Sequence, residues 1–214
     1  MKLTKERIVE AGMITFAEHG YAGLSMRQVA ERLDVHAGSL YYHVRNKEAL
    51  LALLADRLAS QAFEAGEKAL TELPSAAGWI DRVEAQASAL RHTLRKHAGG
   101  PLLLAGSPAM LSPQALALME RLLATLRDGG VPEEDRVVLA DVVLSYVTGF
   151  VLQEQAEPET APPTDVDPAA LAARFPMLFA RPPQGPDEMF RRGVRRICEG
   201  PVQVLSRGSR RSPA

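Results

Sequence analysis

The stretch Ser25-Met26-Arg27-Gln28-Val29-Ala30-Glu31-Arg32-Leu33-Asp34-Val35-His36-Ala37-Gly38-Ser39-Leu40-Tyr41-Tyr42-His43-Val44-Arg45-Asn46-Lys47 reads as two short helices joined by a tight turn. Ser25 and Gln28 form an S-x-x-Q capping box, which starts a helix at Met26. Met26, Val29, Ala30 and Leu33 recur at i, i+3, i+4 and i+7 and make one apolar stripe. Ala30 is small where two helices must cross. Asp34-Val35 supplies the turn, whose backbone tends to positive φ; Asp tolerates that conformation better than most residues. Val35 and Leu40 point back into a small core. That leaves Ala37, Gly38 and Ser39 at the exposed start of the second helix, with Tyr41, Tyr42 and His43 in the following turn.

This chemistry suits a helix that enters a DNA major groove. A helix N-terminus offers backbone N–H groups to phosphates, and small residues there allow close approach to base edges. Ser and Tyr hydroxyls bond phosphates or bases, and Arg27 can take a guanine edge in bidentate fashion. Lys47, just after Asn46 as N-cap, suits a phosphate contact. A plain helical hairpin with a solvated polar face fits the turn equally well, but two adjacent exposed tyrosines are out of place on such a face.

Working outward, residues 8–54 resemble the DNA-binding end of the tetracycline-repressor (TetR) family. Ile8, Val9, Ala11, Met13 and Phe16 lie on its first helix, which ends at His19-Gly20 with Gly20 as C-cap. Gly20 to Ala30 is similar to the family's linker and second helix. Ser39 to Lys47, followed by Glu48-Ala49-Leu50-Leu51, is similar to its recognition helix and the start of its fourth helix. Trp79-Ile80-Asp81, His97-Ala98-Gly99-Gly100, Gly149-Phe150-Val151-Leu152 and Gly193 to Cys198 carry a weaker likeness to the tetracycline repressor's own subfamily. Carried over by position, the resemblance implies that Arg27, Ser39, Tyr42 and Met26 face bases, and that Tyr41, His43 and Lys47 grip phosphates. Ala37 and Gly38 replace larger residues of the tetracycline repressor, so its operator sequence does not carry over.

Composition sets the bounds. The chain has 214 residues, 46% of them hydrophobic, and a formal net charge of −1. In residues 1–50, Lys2, Lys5, Arg7, Arg27, Arg32, Arg45 and Lys47 are nearly balanced by Glu6, Glu10, Glu18, Glu31, Asp34 and Glu48. Affinity for DNA must therefore come from placed contacts and dimer symmetry rather than bulk charge. Cys198 is the only cysteine. This rules out an intramolecular disulfide and a zinc finger, and Cys198 is expected to pack as a small apolar residue. No apolar h-region follows Lys2, Lys5 and Arg7, and the apolar run from Val137 to Leu152 is short and interrupted by Asp141. These features point to a cytoplasmic protein with no membrane association.

Beyond residue 46, helical spacing predicts helices over Lys47 to about Lys68, Trp79–Lys96, Pro113–Arg127, Pro132 to about Gln153, Pro168–Phe175 and Asp187–Glu199. A short apolar segment at Leu102–Ala105 follows the Gly99-Gly100-Pro101 break. The last helix either ends near Gly200-Pro201 or resumes after it. Glu157–Asp167 is expected to be a loop. No strand-like alternation is present, so the fold is all-α. A helix-turn-helix head occupies residues 1–46, a helical effector-binding and dimerisation domain residues 47–205, and a disordered Arg-rich tail residues 206–214.

The helix near 133–153 is apolar around more than half its circumference, through Val137, Val138, Leu139, Val142, Val143, Leu144, Val147, Val151 and Leu152. A surface helix needs only one stripe, so a second partner is implied. The resemblance implies a homodimer built on this helix and the last one, with Gly149 and Gly193 as close-contact points and a palindromic operator. It also implies a small-molecule pocket near Phe63, Gln86, Leu90, Leu104, Leu122, Ser145 and Gln153, with Met119 and Thr148 as further lining and His92 as a polar point. The tetracycline repressor holds magnesium through a histidine and, by way of water, a glutamate; Leu104 and Gln153 stand at those positions. No metal and no cofactor is therefore expected, and the effector should be largely hydrophobic. Met110 is a further candidate wall residue. The function expected is a repressor released by its effector, with an activator or a co-repressed regulator as the alternative on the same head. An enzyme is disfavoured: there is no HExxH, no glycine-rich phosphate loop and no G-x-S-x-G.

Overall fold

Side-chain caps set three of the first four helix starts. Thr4 accepts the Arg7 amide ahead of α1 (Lys5–Gly23), Ser25 the Gln28 amide ahead of α2 (Met26–Arg32), and Asn46 the Ala49 amide ahead of α4 (Lys47–Thr71). The Ser25 hydroxyl also donates to Gln28 Oε1 at 2.7 Å, so the box links the two side chains as well. α3 (Ala37–His43) follows a turn in which Asp34 has φ 53°, the only non-glycine residue with positive φ among those described. The computed structural model describes residues 2–106, 112–156, 167–180 and 185–208, with residues 201–208 as backbone only. Met110, most of the 157–167 loop and residues 209–214 lie outside this range.

Within α1 the helix breaks at Gly20 (φ 67°, ψ −173°), in a region of backbone space that is essentially reserved for glycine. The expected end at Gly20 is therefore a break, after which the chain turns once more to Gly23. Ile8, Phe16, Val29, Leu40, Val44 and Leu50 close the core of the head. Arg32 ties α2 to α1: its Nε donates to Thr15 Oγ1 at 3.0 Å and its guanidinium pairs with Glu18.

α4 runs 25 residues out of the head, burying Leu50, Leu51, Leu54, Leu58 and Ala62 on one side as its spacing predicts. It packs on α5 (Trp79–Arg95), α6 (Gly100–Ala105) and α7 (Pro113–Asp128). Gly66 sits where the guanidinium of Arg121 lies against α4; a Cβ there would collide with it. α8 (Glu133–Gln155) passes between α5, α7 and α11 (Pro186–Gly208). Pro132 is its N-cap rather than its first residue. α9 (Pro168–Arg174) and α10 (Pro176–Phe179) lie outside the core with no buried residue. The spacing did not indicate α10: it is a single turn restarted by Pro176 after Phe175.

Two expectations are corrected in the last helix. It neither stops nor restarts at Gly200-Pro201 but runs to Gly208. A proline removes one i→i−4 bond, and its neighbours here keep helical geometry. Residues 206–208, assigned to the tail, are therefore helical. Gly193 is a close-contact point within the chain: the Tyr146 ring occupies the space a Cβ would take. Cys198 is buried, and burial pushes its thiol up to about 12, so it packs as an inert small residue.

An ion cluster joins α5, α8 and α11. Arg91 on α5 donates to Glu154 on α8 through Nε (3.0 Å) and Nη2 (2.5 Å), and its Nη1 lies 2.8 Å from Asp187 on α11. Its guanidinium covers the Phe190 ring at 4.7 Å. Gln155, one residue on, donates to the carbonyls of Leu94 and His97 (both 3.1 Å) and accepts the Gly99 amide at 3.1 Å. The end of α8 thereby fixes the turn between α5 and α6.

Candidate functional site

Two surfaces carry the candidate residues. The first is the outer side of the head. Leu40 is the only fully buried residue of α3, so the rest of that short helix faces outward or to its edges. Tyr42 is 89% exposed and Tyr41 49%. Tyr42 meets His43 edge-on, with ring centroids 5.4 Å apart. Gly38, Ser39 and His43 are exposed and Ala37 is half-buried. Arg27, on the open side of α2, pairs with Glu31 at 2.8 Å. Lys47 lies at the start of α4, where its Nζ donates to the Ala22 carbonyl at 3.3 Å.

Met26 does not belong to this surface. It is 6% exposed and packs in the core of the head. Its place in the apolar stripe with Val29 and Ala30 outweighs its position at the helix start, so the base-facing assignment is withdrawn.

The second surface is a half-open cavity of about 450 Å³ bordered by α4, α6, α7 and α8. Leu104, Met119, Ser145 and Thr148 line it, as anticipated, and so does Gly149, where a Cβ would meet no atom of the described residues within 4 Å. The remaining expected pocket residues sort differently. Gln86, Leu90 and Leu122 border a separate void of about 20 Å³ on the far side of Leu118 and Leu144, room for about one water molecule. Gln86 is fully engaged there: its Nε2 donates to Thr125 Oγ1 (2.8 Å) and the Arg82 carbonyl (3.2 Å), and its Oε1 accepts from Arg121 Nε (3.1 Å). Phe63 is a platform for Arg121, whose guanidinium lies 4.3 Å above its ring.

Gln153 and His92 are exposed and reach neither cavity. The register set from Gly149 puts Gln153 in the pocket, but the structure turns it outward; its neighbours Glu154 and Gln155 turn inward instead, onto Arg91 and the α5–α6 turn. Leu104 lines the cavity but offers no ligand atom to a metal.

Sequence reasoning passed over three groups that bear on the cavity. Among the described residues Asp141 is its single charged lining side chain; an acid interrupting an otherwise apolar helix was the available signal. Ser112 caps α7, accepting the Ala115 amide at 3.1 Å, and donates to Asp56 on α4 at 2.8 Å. Asp56 also accepts the Gln114 amide at 3.0 Å, so one carboxylate on α4 holds the start of α7. Arg121 makes the second tie between the same helices, donating to the Phe63 carbonyl at 2.6 Å and lying 3.1 Å from Glu67. Burial lowers the Arg121 pKa from its ordinary value, against the opposing pull of Glu67.

An exposed, aromatic second helix of a helix-turn-helix, joined by one long helix to a cavity-bearing helical domain, is the architecture of a ligand-sensing DNA-binding regulator. The chain belongs to the TetR family of bacterial regulatory proteins: the family's N-terminal DNA-binding region matches residues 8–54, and the tetracyclin repressor-like C-terminal domain matches residues 72–201. It is 30% identical over 221 residues to the transcriptional repressor DrrR1 of Streptomyces coeruleorubidus, covering 95% of this chain and 78% of that protein. A possible TetR family transcriptional regulator from Streptomyces coelicolor A3(2) superposes with a TM-score of 0.77 at 27% identity, covering 94% of this chain and all of that one. BioQ, solved with its double-stranded DNA operator, superposes with a TM-score of 0.66 at 28% identity over 93% of this chain and 98% of its own. The protein is a transcriptional regulator, not an enzyme.

Proposed function

We propose that this protein acts as a cytoplasmic homodimeric repressor. Its two α3 helices read the half-sites of a palindromic operator, and a small, largely hydrophobic effector in the α4–α8 cavity releases it. Tyr42 carries the DNA part of the reading: a tyrosine left 89% exposed beside a second half-exposed tyrosine, on a helix with only one buried residue. In this reading Arg27, Ser39 and Tyr42 meet base edges, Tyr41, His43 and Lys47 meet phosphates, and Ala37 and Gly38 let the backbone approach closely. The exchange of partners is modest. Arg27 leaves an exposed i,i+4 pair with Glu31, a contact that contributes little in water.

The dimer reading rests on α8. Leu139, Ala140, Val143, Val147 and Val151 are buried within the chain, while Val137, Val138, Val142 and Leu152 remain open on the other side. The helix is also long and apolar enough to cross a membrane, but it is packed between α5, α7 and α11, and a second protomer accounts for its open face.

The effector reading rests on the cavity touching Ala55 of α4 and Ser112 of α7 together, with the Asp56 clasp beside them. An occupant that moves the start of α7 pulls on α4 through Asp56 and shifts the head. For a full switch the effector must favour the released state by about 5.5 kcal/mol. The reading is tested by sequencing the fragments of host genomic DNA retained by the purified protein: an enriched palindrome is expected, and no enrichment would overturn it. Magnesium-tetracycline is not expected to release the complex, because Leu104 stands where the tetracycline repressor has its metal-binding histidine; titration with and without magnesium checks this, and sub-micromolar, magnesium-dependent binding would refute it.

A further inference from the structure

The α4–α8 cavity is apolar apart from a few hydroxyls, yet its charge is one-sided. Asp141 lines it, and among the described residues no lysine, arginine or histidine does. Asp141 stands in the middle of α8, one helical turn before Ser145 and two before Thr148 and Gly149, all of which line the same space; Asp141 and Ser145 are exposed at its rim, beside the Val137, Val138 and Val142 face assigned above to the second protomer. Among the described residues no cation lies within ion-pair distance of it: Arg91, Arg95, Arg121 and Arg195 are committed to Glu154, Asp187, Glu67, Asp81 and Glu84.

The one feature on this wall that would favour an anion is the positive end of the α7 dipole. That end is already answered. Ser112 Oγ accepts the Ala115 amide, and the Asp56 carboxylate accepts the Gln114 amide and the Ser112 hydroxyl proton. The α7 start therefore comes with its own counter-charge and leaves no appetite for a second. What remains is a half-open apolar recess with one exposed carboxylate on its rim, which an occupant would cover. Desolvating that carboxylate under a neutral ligand is unfavourable, whereas an ammonium placed against it forms a charge-assisted hydrogen bond.

We propose that the effector is an apolar molecule bearing a protonated amine, its hydrocarbon body between Leu104, Leu116 and Met119 and its ammonium on Asp141, with Ser145 as a second acceptor. This rests on the cavity being the effector site proposed above and adds the charge of its occupant. The amine gives up one N–H bond to water for one to Asp141 and transfers no proton.

The test uses three compounds with one apolar body: diphenylpropylamine, diphenylpropanol and diphenylpropanoate, which are cationic, neutral and anionic at neutral pH. Binding to the full-length protein is measured by calorimetry without DNA. The amine is expected to bind at least about tenfold more tightly than the alcohol, and the carboxylate more weakly than either. Asp141→Asn, its fold checked by circular dichroism, should bring the amine to the affinity of the alcohol. Equal binding of alcohol and amine, uptake of none of the three, or a preference that survives Asp141→Asn would overturn the proposal. Operator retention by the ligand-free wild type is scored separately: its loss would sink the repressor reading, whereas operator binding with an indifferent cavity would sink this inference alone.

Discussion

Tyr42 and Met26 sit sixteen positions apart in one motif, and the structure gives them opposite fates. The capping box, the Asp34 turn and the inward Leu40 were all legible, because each depends on local backbone geometry or on one apolar stripe. Met26 was legible in that stripe but misassigned by positional analogy, since a helix start can face either way until its partner helix is placed. Tyr42→Ala should weaken operator binding by about 1–3 kcal/mol. The variant's melting temperature should stay unchanged, since the Tyr42 side chain is almost fully exposed; fluorescence anisotropy and a thermal melt check both. His97 makes a different residue-scale prediction. Burial, aided by the neighbouring Lys96 charge, holds its imidazole below the ordinary value, and its Nε2 donates to Gln61 Oε1 at 3.0 Å. The unfolded chain therefore takes up a proton before the folded one does. Stability supplied by neutral His97 is full above the ordinary imidazole value of about 6.5 and declines as pH falls below it. Melting temperatures at neutral and mildly acidic pH should fall less in His97→Gln than in the wild type.

Helices were mostly legible as elements, and their faces were legible only where one side is polar. α4 shows its buried side in the sequence because charged residues occupy the other. α8 does not, being apolar nearly all round, so spacing alone cannot say which valines face the chain and which face a partner. The structure divides them: Val143 and Val147 are inside, Val138 and Val142 outside. The same ambiguity explains the Gln153 error, since a register read from Gly149 on such a helix has nothing to correct it. Val138→Glu and Val142→Glu are expected to leave helix content intact and to weaken self-association by about 3 kcal/mol or more, because a dimer would bury an unpaired carboxylate from each protomer. Sedimentation equilibrium decides it; an undiminished dimer would place the interface elsewhere.

Across the whole molecule the decisive contacts join residues far apart in the chain, which is why the sequence did not disclose them. Arg91 and Glu154 are 63 positions apart, and only the fold shows that they clamp α5 to α8 while Asp187 draws in α11. Glu154→Gln should lower stability by about 2 kcal/mol, read by chemical denaturation, because it leaves the buried Arg91 facing a neutral amide. The exposed Asp187 compensates little. α4 and α7 are joined through Asp56 and Arg121, both anchored on α4, and the consequence is one of leverage. With 25 residues α4 is a rod of about 37 Å. Pivoted at its far end and swung by some 5°, such a rod carries its tip through about 3 Å, close to the 3.4 Å step between neighbouring base pairs. In the proposed dimer, two such rods mounted back to back would move their tips in opposite senses. Under the proposed mechanism, a displacement too small to notice inside the cavity would thus become, at the operator, an error of a full letter in spacing for each hand that reads it.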